Sequence, residues 1–171
     1  MKARVLVALF LMVFLIILTV ACNTTEVAPT TPATEPPTEE ELREANFNHP
    51  EIPRVTAEQL KLMMDREDDF LLVDARDEMD WDSTRLRNAL NIPNVSNGLL
   101  AQQNRMTQLQ LLPKDKLIIF YGNSADDADA ANLAQQLINL NAGYDPENIK
   151  VLWQGHPRWK KLRYPSKDTG A

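Results

Sequence analysis

After the first fifty residues, two stretches of the chain are apolar at every position, Phe70-Leu71-Leu72-Val73 and Leu117-Ile118-Ile119-Phe120-Tyr121. A third, Ile149-Lys150-Val151-Leu152, is broken once. A strand without polar alternation is covered on both faces, which predicts a parallel sheet with helices on each side. The segments between carry helical spacing. Thr56-Ala57-Glu58-Gln59 has the form of a capping box, Val55 is placed to staple onto Leu60, and Leu60, Met63 and Met64 continue one face to about Arg66. Residues 96–112 are Gln-rich with Leu99, Leu100, Met106, Leu109, Leu111 and Leu112, which predicts one or two helices. A broad stripe of Ala130, Ala131, Leu133, Ala134, Leu137, Ile138 and Leu140 follows the central strand, with Gly143 where a helix C-cap is wanted. Helix alternating with strand is the mark of an α/β domain.

In such a sheet ligands sit beyond the carboxyl ends of the strands. The central strand empties into Gly122, Asn123, Ser124, Ala125, Asp126 and Asp127, a loop that delivers the N-terminus of the Ala-rich helix and its unpaired N–H groups. That loop is the candidate site. Asp74 and Arg76, at the end of the neighbouring strand, are expected to bond each other and nearby backbone, with ligand contact as the alternative. Trp81 reads as a lid on the core. His156 follows the last strand near the same rim, as a ligand contact or a surface residue. His49 falls at the end of a linker and suggests no role.

Ser124 has no histidine beside it in the loop to deprotonate it, and it reads as a helix cap, not a nucleophile. Asn123, Asp126, Asp127 and Asp129 do not have EF-hand spacing, so a solvated acidic face is expected and no metal or cofactor is assigned.

The amino terminus changes the picture of where the domain works. Lys2 and Arg4 precede an uncharged run over residues 5–21 that closes on Thr19-Val20-Ala21-Cys22, the pattern of a secretory signal. The small residue before the cysteine resembles the bacterial lipobox, which implies a lipidated Cys22; an uncleaved anchor is the alternative. Either places the domain on the extracytoplasmic side of the cell membrane. Residues 22–51 are then a lipidated cysteine and a disordered Thr-, Pro- and Glu-rich tether, residues 52–165 the domain, and 166–171 a tail. Eighteen basic and 24 acidic residues give a net charge of −6, and about −8 without the leader. That balance excludes a nucleic-acid role and predicts mild repulsion from anionic lipid, so attachment falls to the anchor. Cys22 is the chain's one cysteine, so neither an internal disulfide nor a Cys-based metal cluster is open to it.

The region from Ile52 to Pro165 resembles a rhodanese-like (sulfurtransferase) domain. The strand followed by Asp74-Ala75-Arg76, the acidic-aromatic pair Asp80-Trp81, and Leu86, Ala89, Asn91, Ile92 and Pro93 fit the family pattern, as do Gly155, Trp159, Tyr164 and Pro165. Thr84, Arg85, Asn88 and Gln154 replace family residues. The resemblance implies a single domain with a mainly parallel sheet flanked by helices on both faces. It also implies that the sulfur-carrying cysteine belongs where this chain has Gly122. Without a thiolate the chain cannot hold sulfur, and Asp126, Asp127 and Asp129 oppose an anionic donor. The resulting expectation is a non-catalytic module that binds an unknown protein or small molecule at the loop. The alternative is a sulfurtransferase working with a partner's cysteine.

Overall fold

The computed structural model describes residues 47–94, 98–124 and 126–168; the leader, Cys22 and the tether up to residue 46 lie outside them, as does Ala125. Capping and periodicity produce the first helix as expected. The Thr56 side chain accepts from the Gln59 amide at 3.2 Å and the Gln59 side chain accepts from the Thr56 amide at 2.9 Å, and α1 runs over Ala57–Asp65. The apolar runs become β2 (Phe70–Asp74), β5 (Leu117–Tyr121) and β6 (Ile149–Leu152). Two short strands, β1 (Arg54–Val55) and β4 (Leu90–Asn91), complete a sheet of order β1-β6-β5-β2-β4, parallel throughout. The chain is thus one α/β domain with a mostly parallel sheet flanked by helices.

Further helices are α2 (Glu78–Ser83), α3 (Leu99–Gln110), α4 (Ala128–Asn139) and α5 (Gly155–Lys161). The Gln-rich segment therefore forms one helix. A two-residue antiparallel ribbon pairs β3 (Thr84–Arg85) with β7 (Lys167–Asp168) outside the main sheet. β5 lies between β6 and β2, so every second residue of it faces one of two cores. Ile118 and Phe120 meet Leu109, Ala130, Leu133, Ala134 and Leu137; Ile119 and Tyr121 meet Leu60, Leu72, Leu86 and Trp159. Burial of these four of the five β5 side chains stabilises the strand by roughly 1.5–3 kcal/mol each.

The C-terminal end of α4 departs from expectation. The helix stops at Asn139 with Leu140 as its cap residue, and Asn141, at φ 48°, takes the left-handed position expected of Gly143. Asn tolerates that region through its short polar side chain, so the glycine is not needed there.

The start of the folded region also differs. Residues 47–51, assigned by composition to the tether, are tied down: the Asn48 side-chain amide donates to Asn132 Oδ1 at 2.9 Å and His49 Nε2 lies 3.1 Å from the same oxygen. The backbone carbonyls of Asn48 and His49 accept from Arg54 at 2.6 and 3.1 Å. His49 thus has a structural place that its linker-like context hid.

Candidate functional site

The carboxyl ends of β2, β5 and β6 converge, and the loop after β5 crosses above them. Asp74 is the last residue of β2 and Tyr121 the last of β5, and the two are register partners. Arg76 reaches back over the strand end. Its Nε donates to Asp74 Oδ1 at 2.9 Å and its Nη2 to Asp74 Oδ2 at 2.6 Å, a two-pronged contact. Nη2 also donates to the Thr84 carbonyl at 2.6 Å, and Nη1 sits 3.1 Å from His156 Nδ1. Because a guanidinium only donates, Nδ1 accepts and the neutral imidazole carries its proton on Nε2.

Burial opposes the Arg76 charge, but bonding to Asp74 outweighs it and raises the guanidinium pKa. Burial also pushes His156 down to about 4, and the adjacent Arg76 adds to the effect. The Tyr121 hydroxyl accepts from the Leu86 amide at 3.3 Å and is driven above its ordinary range by burial and by Asp74.

Asp74, Arg76 and His156 are 0%, 3% and 2% exposed. They are a brace under the loop and not the rim of an open cleft: the expected Asp74–Arg76 bond is present, the alternative of ligand contact is not open to buried side chains, and His156 is not the rim residue its place after the last strand suggested. The physical reason is that a strand-end carboxylate and a guanidinium two residues on close on each other before either can face solvent, and His156 Nδ1 joins them while its Nε2 has no partner among the described residues. Asn91 ties the brace down by donating to the carbonyls of Asp74 and Arg76 at 3.1 and 2.9 Å.

The loop itself splits into two parts. Asn123 is exposed and donates from its side chain to Asp80 Oδ2 on α2 at 2.9 Å, and Asp126 is exposed. Asp127 turns inward. It is 1% exposed and its carboxylate lies 3.4 Å from Arg54 Nε, while neither of its oxygens has a hydrogen-bond partner among the described residues. Burial pushes its pKa up to about 7, with Arg54 pulling against it. The expected acidic face of Asp126, Asp127 and Asp129 therefore loses its middle member, and the loop's carboxylates do not converge on one point. Asp127 also occupies the cap position of α4, at φ 60° and without a side-chain cap bond. Ser124 accordingly does not cap the helix, and its hydroxyl is buried with no hydrogen-bond partner among the described residues. Arg54 is the site residue that sequence reasoning missed; a single arginine before a valine carries no pattern.

Gly122 is buried, and its carbonyl accepts from the His156 amide at 2.9 Å. A Cβ at residue 122 would meet Ala130 N and Asp129 Cβ at 3.4 Å, ordinary contact, on the first turn of α4. The position has room for a Cβ that the sequence does not supply. A cavity of about 470 Å³ lies elsewhere, between α1, α5 and the segment after β3, lined among others by Met64, Phe70, Arg87 and Trp159.

The model of the rhodanese-like domain family matches residues 56–162. The chain belongs to the rhodanese-like domain family. Solved structures agree on the fold. A crystal structure of a Bacillus halodurans protein has a TM-score of 0.57 and 20% identity, covering 69% of this chain and 78% of its own. A rhodanese-like domain from Anabaena has a TM-score of 0.53 and 20% identity, covering 68% and 79%. An As-Sb reductase from Leishmania major has a TM-score of 0.53 and 20% identity, covering 64% and 78%. No curated protein matches. A rhodanese-like fold is sulfurtransferase-type architecture, and at these identities the likeness speaks for the fold alone.

Proposed function

We propose that this chain is a membrane-anchored, extracytoplasmic rhodanese-like protein that binds a partner at the loop after β5, which exposes Asn123 and Asp126, instead of transferring sulfur. The observation that carries the reading is Gly122. The resemblance puts the persulfide cysteine at this position, and the chain's one cysteine, Cys22, stands in the leader-proximal motif. Sulfur transfer needs a thiolate among backbone donors, and a glycine offers none.

The surroundings support the same reading. Asp126 is exposed on the loop, and Asp77, Glu78 and Asp82 are exposed on or beside α2, whose Asp80 accepts from Asn123. A thiosulfate-like anion meets repulsion there, whereas a cationic group on a peptide or partner surface is favoured. Cys22 as the lipidated residue supplies the anchor in this reading, and among the described residues no helix is long and apolar enough to cross a membrane.

Thiosulfate-to-cyanide sulfur transfer tests the proposal, run on the native chain and on Gly122→Cys. The native chain is expected to be silent, and turnover by it would overturn the reading. The variant places a thiol against the first turn of α4, where the helix N-terminus lowers its pKa, so activity gained by this change alone shows the backbone cradle intact. Addition of a persulfide-bearing partner protein separates the alternative, since only a borrowed-cysteine sulfurtransferase passes sulfur through the complex.

A further inference from the structure

The net acidity of the chain conceals a basic face. Residues 148–167 contain Lys150, Arg158, Lys160, Lys161, Arg163 and Lys167 and no acidic residue. Arg158 is committed to Glu58 on α1 at 2.7 Å, but Lys160, Lys161, Arg163 and Lys167 are exposed. The β3–β7 ribbon adds to them: Arg85 and Lys167 are direct cross-strand partners. Arg87 follows two residues after Arg85, exposed, on the wall of the same cavity that Trp159 and Pro165 line. Among the described side chains none of these six cations lies in a salt bridge.

Ordinary structural reasons account for part of this. Lys160 and Lys161 occupy the last turn of α5, where the helix dipole favours cations. That reason does not extend to the ribbon. Like charges directly opposite on an antiparallel pair destabilise it, and Arg85 and Lys167 stand directly opposite one another. Arg85 is moreover held in place, 4.3 Å above the Trp81 ring with Nη1 donating to the Trp81 carbonyl at 3.2 Å. Of the three acidic residues on the wall of the neighbouring cavity, Asp65 is held by Lys61 and Asp68 by Arg66, which leaves Glu67 against the cationic cluster.

We infer that the face formed by Arg85, Arg87, Lys160, Lys161, Arg163 and Lys167 docks on anionic phospholipid headgroups, holding the domain against the membrane. An anionic surface relieves the like-charge ribbon pair and meets all the exposed cations at once, which a single carboxylate cannot do. The inference rests on the membrane attachment proposed above. It also revises the expectation of simple repulsion, since a local cluster acts within a Debye length whereas the net charge is averaged over the whole domain. Each basic side chain near such a surface is worth about fivefold in binding.

The test uses the full chain incorporated into vesicles of phosphatidylcholine alone or with phosphatidylserine, read by flotation and by backbone hydrogen exchange. Exchange over residues 155–168 is expected to slow on the phosphatidylserine vesicles only. High salt should reverse the effect, as should the triple variant Lys160→Glu, Arg163→Glu, Lys167→Glu, whose exposed positions leave the core untouched. Equal exchange on both vesicles overturns the inference. So does protection on both that is released by Glu39→Gln, Glu40→Gln, Glu41→Gln, which assigns the face to the chain's own acidic stretch. If the chain floats only with phosphatidylserine and the triple variant does not float, the basic face stands and the anchor reading fails.

Discussion

A Cβ built on Gly155 would fall 2.3 Å from the carbonyl oxygen of Gly122. No real Cβ approaches backbone so closely, and Gly155 also sits at φ 48°, in the left-handed region. The last helix and the candidate loop are therefore fitted backbone to backbone, and the His156 amide donating to that same carbonyl at 2.9 Å closes the joint. Gly155→Ala is expected to destabilise the chain by about 2–4 kcal/mol, from strain together with the displaced loop. Gly122→Ala, whose Cβ meets only ordinary contacts at 3.4 Å, is expected to stay within about 1 kcal/mol of the native chain. Urea denaturation of the two variants checks the contrast; similar losses would mean that the loop, not the joint, sets the stability.

Asp74 and Arg76 form a buried, doubly bonded ion pair on which Thr84 and His156 also depend. Removing one partner leaves the other charged and buried, so Asp74→Asn or Arg76→Leu alone is expected to cost about 3–5 kcal/mol. Replacing both with Asn and Leu is expected to cost less than the sum of the singles. A double-mutant cycle by thermal or chemical denaturation reads this directly. Additive losses would show that the two residues act separately.

These interactions also show what the sequence could and could not reveal. The strands at residues 70–74, 117–121 and 149–152 were legible because their side chains are covered on both faces, which leaves an unbroken apolar run. The Thr56 cap was legible because its bonds are local. The Asp74–Arg76 pair was legible for the same reason, two residues apart at a strand end. The contact of Arg76 with His156 spans 80 positions and that of Arg54 with Asp127 joins the first strand to the loop, and neither leaves a periodic trace. Hence the loop was readable as a place, whereas the inward turn of Asp127 was not. α2 and the β3–β7 ribbon were missed because helices and strands of two to six residues have too little periodicity to detect.

Asp127 gives the loop a dependence on neutral pH. Its pKa rises from 3.8 to about 7 on folding, mainly through burial. The folded chain therefore binds this proton more tightly than the unfolded chain. The stability it contributes is complete below about pH 4 and is lost as pH rises to about 7. Asp127→Asn removes that slope, although it leaves Arg54 without its partner. The variant is expected to compare with the native chain more favourably at pH 8 than at pH 4, by on the order of 2 kcal/mol. Urea midpoints across this range measure the difference, and a constant gap between the two proteins would refute the assignment.

His156 should act with the opposite sign in a lower window. Its imidazole is buried and faces Arg76 through Nδ1, with Lys160 on its own helix adding repulsion and Asp74 across the brace attracting. The balance lowers its pKa from 6.5 to about 4, so the unfolded chain takes up a proton that the folded chain refuses. Stability is complete above about pH 6.5 and falls as pH drops toward 4. His156→Gln keeps an acceptor for Arg76 but cannot titrate, so it is expected to be less stable than the native chain at pH 7 and to close that gap toward pH 4. Direct observation of the imidazole by NMR gives an independent check: a midpoint near 6.5 would mean that the ring reaches water and that the brace beneath Gly122 is open.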